Sequence, residues 1–494
     1  MVKLTGQALI EDMSPAEIAR AEKVESVLPT LRAVAAEVDA RGEFHVPHVQ
    51  TLSEAGLLGL IVPEEYGGLG GGLRDLCAAT FSLATACPST ALTFFFHCSS
   101  ASRGLLALEA LDAGLFDENE APVVKAFAEQ VLNTMGRDGK WLANFASESV
   151  KSEKAAITIS TTARPVDGGY VLNGVKSFGC ATGVADRYLV TASLEGHDTA
   201  AGLCTFFVAR DAQGVSEREH WDAIGMRGTA THGIILEDVF VAAADALAIP
   251  GAFTRCMQMS RGSFVGNQVA GIACYLGAAH SLYQYTIGQL RSKKFADSDK
   301  SVGTAPYQQE LIGHMMVELE TASVWLRRQI DLESSENPVM SKDEVVKRWR
   351  LCKGVVAEAA FNLGSYCVKA CGTGGGTGNH GVPARALRDP PMDRHEPNGL
   401  FGQVVGRFDV GLGNESEVAL PVLPKASCQV VCLGSLWRSS RGVPYQLVAS
   451  LLQFPTKPFR RSILIAAVDH TKQFFSETDR DPTLERLRAA DGSS

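Results

Sequence analysis

The sequence predicts an α+β multidomain protein: an N-terminal helical domain, a central antiparallel β-barrel domain and a C-terminal four-helix bundle. Three observations predict it. Between residues 141 and 247 the chain falls into short β-rich runs, separated by turn clusters such as Val166-Asp-Gly-Gly and Asn173-Gly174. On both sides of that stretch, apolar residues recur at helical spacing. The chain has 494 residues and is 46% hydrophobic, enough for several domains with a large core. The expected boundaries are 1–140, 141–250 and 251–389, followed by a tail over 390–494.

Each part has its own signals. Ser14-Pro15 reads as a helix N-cap with proline at the first helical position, followed by Ile18, Val24, Leu28, Leu31 and Val34. Pro47 marks a break before a second helix. Ile61-Val-Pro63-Glu-Glu-Tyr66-Gly-Gly-Leu-Gly-Gly-Gly72 is a glycine-rich loop. It lacks the preceding strand and the spacing of a dinucleotide fingerprint. Residues 73–112 are apolar and helical, with a break at Pro88. His97 lies there in Phe94-Phe-Phe-His97-Cys98, where a core role outweighs a catalytic one. In the middle, 156–163, 169–172, 188–192 and 204–209 read as strands. From Met257 to Cys371 the chain returns to long amphipathic helices, interrupted at Asn337-Pro338. Cys371-Gly-Thr-Gly-Gly-Gly-Thr-Gly-Asn-His-Gly381 then forms a loop that either stops the helix or lets backbone N–H groups approach a phosphate.

Composition narrows the function. A net charge of -9 without a basic stripe gives no reason to expect nucleic acid. The twelve cysteines are scattered, several in apolar runs, as expected of buried thiols in a reducing compartment. Cys367 and Cys371 have metal-compatible spacing but no further ligands nearby, so no metal site is expected. The N-terminus lacks the apolar run of a signal peptide, and no window is long enough for a membrane span. A soluble cytoplasmic protein is expected.

Residues 45–389 resemble the acyl-CoA dehydrogenase superfamily of flavoproteins. The resemblance rests on Leu58-Gly59-Leu60-Ile-Val-Pro-Glu-Glu-Tyr-Gly-Gly-Leu-Gly70, Ala146-Ser147-Glu148-Ser149, Gly174-Val-Lys176-Ser-Phe178, Gly225-Met-Arg227-Gly-Thr229 with Leu236-Glu-Asp-Val-Phe-Val, and Gly374-Gly375-Gly376 with Arg388-Asp389. It implies bound FAD. Ala146 and Ser147 would lie beside the isoalloxazine, Phe178 would stack on it, and Cys180 would stand where a hydroxyl often bonds N5 or its surroundings. Gln308, Gly374 and Gly375 would contact the adenosine part, across a subunit interface in a homodimer or homotetramer. Arg291, in Arg291-Ser-Lys-Lys-Phe295-Ala, is an imperfect match to the family's cofactor-gripping arginine.

The chain also departs from that family. An acyl-CoA dehydrogenase needs a carboxylate base for the substrate's α-proton. The early-helix position holds Ser260, Arg261 and Gly262, and the later one falls in Pro390-Pro-Met-Asp-Arg-His-Glu-Pro-Asn-Gly, which fits no family pattern. Glu415 and Glu417 lie too far from Arg388 to serve. Degenerate codons for 392–398, read one nucleotide along, can encode Trp-Thr-Ala-Met-Ser-Pro-Thr, close to a segment of the family, so 390–494 reads as a frameshifted or disordered terminus. The leading expectation is an FAD-dependent acyl-CoA dehydrogenase acting on the CH–CH group of an acyl thioester, with an electron-transfer flavoprotein as acceptor. One alternative is a flavin monooxygenase on the same fold, using oxygen and favoured by the missing base and by His97 as a catalytic candidate. The other is an inactive relative.

Overall fold

A computed structural model describes residues 4–149, 159–197, 199–223, 225–261, 268–337 and 339–372. The N-terminal helices are α1 (Pro15–Arg41), α2 (Pro47–Glu54), α3 (Leu73–Ala86), α4 (Pro88–Asp112) and α5 (Ala121–Gly136). Their starts follow from local chemistry. The Ser14 hydroxyl accepts from Glu17 N, and the Glu17 carboxylate accepts from Ser14 N, which satisfies two otherwise orphaned donors at the head of α1. Proline begins α1, α2 and α4, where its missing N–H costs nothing.

Eight strands follow: β1 (Leu142–Phe145), β2 (Thr162–Val166), β3 (Gly169–Lys176), β4 (Arg187–Leu194), β5 (Leu203–Ala209), β6 (Val215–Glu217), β7 (Ile234–Ala242) and β8 (Ala246–Leu247). They form one sheet in the order β6-β7-β3-β2-β4-β5-β8, with β1 also on β4. Five pairings are antiparallel, as expected for this domain. The pairings of β4 with β1 and with β2 are parallel. β1 pairs with 187–190 and β2 with Ser193 and Leu194, so the two strands occupy successive lengths of β4. Of the strand expected over 156–163, residues 156–158 lie outside the described residues, and within them the strand begins at Thr162. Ser160 N and Thr161 N donate to the Glu148 carboxylate, which draws them away from the ladder.

The C-terminal helices are α6 (Ala252–Gln258), α7 (Val269–Ser292), α8 (Pro306–Ser334) and α9 (Lys342–Cys371). Three of them are long, and α6 has only seven residues. The expected fourth bundle helix is therefore not among the described residues; within them, α3 of the N-terminal region packs on α7, and α7 and α8 pack on α9. Cys367 sits in this core with its Sγ 3.3 Å from Met315 Sδ. The loop with Gly374 and Gly375, the Arg388-Asp389 pair and the tail 390–494 lie outside the described residues. Among the described residues no helix is long and apolar enough to cross a membrane.

Candidate functional site

The residues expected to face a cofactor come together where β1 and β3 end. Ser177 N donates to Ser147 O at 2.8 Å, and the Ser149 and Ser177 hydroxyls lie 2.6 Å apart. These contacts hold Ala146 and Ser147, leaving β1, beside Phe178 and Cys180, leaving β3. Gly179 makes the approach possible: a Cβ there would lie 2.2 Å from the Phe145 ring. Below this junction, Lys176 Nζ meets Glu148 Oε1 at 2.6 Å, with side chains 0% and 1% exposed. Thr161 N and Oγ1 donate to the same carboxylate oxygen, at 3.0 and 2.6 Å. Burial pulls the Glu148 carboxyl upward, but Lys176, Ser160 and Thr161 outweigh it and hold the group below its ordinary range. Burial pulls the Lys176 ammonium down to about 8, against the attraction of Glu148. The sequence motifs contained both residues without showing that they pair across 28 positions.

The third side of the site is the 218–233 segment. Arg218 Nη1 donates to Ser177 O at 3.0 Å. Ala181 N and Thr182 N donate to Thr229 O and Ala230 O, at 3.0 and 2.9 Å. Phe178 stands edge-on to Trp221, with centroids 5.9 Å apart. Trp221 is itself fixed by Nε1 donating to Met226 O and by N donating to His232 Nδ1. Ala181, Met226 and Ala230 hold left-handed backbone angles that are rare outside glycine, three of the four such residues among those described. Arg227 Nε donates to Asp39 O at the end of α1, and a Cβ on Gly228 would lie 2.2 Å from Val38 Cγ1. The segment thus joins the sheet to the N-terminal helices.

His97 belongs to the support beneath this site. Its Nε2–H donates to Leu58 O at 2.8 Å, and its Nδ1 accepts from Leu142 N at 2.9 Å, at the start of β1. The partners settle the tautomer and occupy both nitrogens. Burial pushes the imidazole down to about 4, so it is neutral. The ring is fully enclosed, and Trp141 lies 4.7 Å away by ring centroid. This arrangement leaves no ring nitrogen for a substrate, so the catalytic expectation gives way to a packing role. Gln308 also points inward: its Nε2 donates to Ala370 O at 3.0 Å and thereby holds the end of α9. Arg291 is exposed in the last turn of α7. The structure does not gather these two residues with Ser147 and Phe178.

A cleft of about 400 Å³ lies beside α4, lined by residues that include Ser102, Leu106, Glu109, Met259, Ser260 and Arg261. Ser260 and Arg261 fill the position where the early-helix base was sought. Arg261 Nη1 donates to Ser335 O at 3.3 Å. Burial raises the Glu109 carboxyl above its usual range, opposed by Arg261. Glu109 carries no motif, and only the folding of α4 against the segment after α6 reveals its place on the cleft.

The donor set at the β1–β3 junction suits a flavin. Ala146, Ser147, Phe178, Trp221 and Thr231 are half-buried. They offer two aromatic faces and neutral hydroxyls, while the nearby Glu148 is turned inward onto Lys176. A flat, uncharged heteroaromatic ring matches such a surface.

A helical, sheet and helical order with this junction defines the architecture of acyl-CoA dehydrogenase-type flavoproteins. Residues 18–108 match the model of the acyl-CoA dehydrogenase N-terminal domain and residues 143–239 that of the middle domain. The chain belongs to the acyl-CoA dehydrogenase superfamily. A dibenzothiophene monooxygenase of Rhodococcus erythropolis is 26% identical over 398 residues, covering 75% of this chain and 91% of that protein. Two solved structures share the fold. One is butyryl-CoA dehydrogenase from Megasphaera elsdenii, with a TM-score of 0.64 and 17% identity over 86% of this chain and 99% of that one. The other is KijD3 in complex with FMN and dTDP-3-amino-2,3,6-trideoxy-4-keto-3-methyl-D-glucose, with a TM-score of 0.62 and 21% identity over 89% and 98%.

Proposed function

We propose that this protein is a flavin-dependent monooxygenase, with its flavin packed against Ala146, Ser147, Phe178 and Cys180. One observation carries the choice over a dehydrogenase. The carboxylate at the β1–β3 junction, Glu148, is committed to Lys176, Ser160 and Thr161 and cannot accept a substrate proton. Similarity to a dibenzothiophene monooxygenase supports the same reading. The bound flavin would supply electrons to oxygen. The chain's own contribution is to seat the ring against Phe178, which Trp221 supports edge-on, to turn the Glu148 charge inward onto Lys176, and to admit substrate from the cleft beside α4. FMN suits the inward-turned Gln308 better than FAD, whose adenosine that residue was expected to meet. Self-association as a homodimer or homotetramer remains part of the proposal, checked by light scattering.

A second reading retains acyl-CoA dehydrogenation with Glu109 as base, because it is a carboxylate of raised pKa on the cleft. Anaerobic titration separates the two. A flavin that acyl-CoA does not bleach, but that consumes oxygen once chemically reduced, supports the monooxygenase. Bleaching by acyl-CoA that Glu109→Gln abolishes establishes the dehydrogenase. A purified protein that retains and binds no flavin points to an inactive relative. Chromatography of any released cofactor distinguishes FMN from FAD.

A further inference from the structure

Cys180 does not act alone in this junction. The Thr229 hydroxyl lies 2.9 Å from Met226 O, and a carbonyl can only accept, so Thr229 donates its single proton there. Thr229 and Thr231 hydroxyl oxygens are 2.6 Å apart. With the Thr229 proton committed, Thr231 must be the donor in that bond. Thr231 Oγ1 is also 3.2 Å from Cys180 Sγ. With the Thr231 proton committed in turn, the Cys180 S–H donates to Thr231. The chain therefore runs one way: Cys180 to Thr231 to Thr229 to the Met226 carbonyl. Burial keeps the thiol protonated, pushing it up to about 12. Left-handed backbone at Met226 and Ala230 presents the carbonyl and the two threonines in this order.

We infer that Cys180 offers lone pairs, and no proton, to any other neighbour, and so selects a hydrogen-bond donor at the cofactor surface. This rests on the flavin reading above. A flavin ring nitrogen carries a proton at N5 only in the reduced form, so the polarity of this chain favours reduced flavin over oxidised. A hydroxyl free to rotate at the same position would serve either form. The selection suits an enzyme that takes up flavin already reduced elsewhere.

Two measurements on the full chain test it. The first needs no flavin: the infrared S–H stretch, with Cys180→Ala identifying the band. The wild-type band should lie at the low frequency of a donating thiol and move upward in Thr231→Val. A band that does not move overturns the proton order. The second compares dissociation constants for oxidised and reduced FMN. Wild type should prefer the reduced form, and Thr231→Val should shrink that preference by about three- to tenfold, the range of one ordinary hydrogen bond. Thr229→Val should act in the same direction, because it frees the Thr231 proton for the sulfur, and it serves if Thr231→Val does not fold. Binding with an unchanged ratio overturns the selection alone. No binding of either form by wild type overturns the flavin reading and the selection with it, while the S–H band still decides the proton order.

Discussion

Lys176 and Arg103 are both buried cations, and their surroundings differ in kind. Lys176 is sealed but meets Glu148 at 2.6 Å, and that carboxylate is further satisfied by Thr161. Arg103, on α4, is 7% exposed and has no carboxylate partner among the described residues. Its Nη2 reaches Thr191 Oγ1 only at 3.5 Å, its Nη1 has no partner, and its guanidinium lies 5.0 Å over the Phe253 ring. Burial lowers it to about 10. The first cation is part of a closed network that shapes the β1–β3 junction. The second lacks a counter-charge, and only Thr191 and the Phe253 ring offset its desolvation at the contact between α4, β4 and α6. Burial of charge therefore says little about stability until the partners are counted.

The largest effect is expected of Lys176→Met, which strands Glu148 in the interior. Equilibrium unfolding should show a loss of about 3–5 kcal/mol. The double variant Glu148→Leu with Lys176→Met should lose less than either single variant, and a strictly additive result would show that the two do not interact.

His97 is a buried base that stays neutral in the fold. His97 titrates near 4 in the fold and near 6.5 when unfolded. Between these values the unfolded chain binds the extra proton, so stability from His97 is present above about pH 6.5 and is lost as pH falls toward 4. The slope is about 1.4 kcal/mol per pH unit for one such group. His48 and His280, also lowered to about 4, add in the same direction. The stability–pH slope over this range should become shallower in His97→Gln; an unaltered slope would remove His97 from the account.

Gly179→Ala is expected to cost about 1–3 kcal/mol, as a methyl group is forced toward the Phe145 ring. It should also weaken flavin retention by shifting Phe178 and Cys180, which fluorescence quenching of added FMN would measure. The smallest effect is expected at Arg103→Met, where removing an unpaired charge should leave stability unchanged or raise it by about 1 kcal/mol. A loss of several kcal/mol would mean that a counter-charge holds Arg103 in solution.

Much of the fold was legible in the sequence because its signals are local. Ser14-Pro15 capped α1, Pro88 separated α3 from α4, and the Val166-Asp-Gly-Gly turn preceded β3, whereas Asn173-Gly174, expected as a turn, lies inside β3 at an irregularity of its pairing with β7. The junction was legible only in outline. Motifs pointed to Ser147, Phe178 and Cys180, yet Cys180 gains its meaning from Thr231, 51 positions away. His97 shows the converse. An isolated histidine in an apolar run left two roles open, and only the backbone groups of Leu58 and Leu142 assign one. Ser160 and Thr161, expected in β2, stand outside it for a similar reason: a distant glutamate, Glu148, competes for the N–H groups that a local pattern gives to the ladder.

Arg227 and Gly228 press the 218–233 segment onto the end of α1, through Asp39 O and Val38. The middle domain is consequently not a portable module. Excised over 141–250, it would retain Ser147, Phe178 and Cys180 but lose the anchor that sets Thr229 and Thr231. Chimeras that exchange this domain between relatives must therefore carry the last turn of α1 with it.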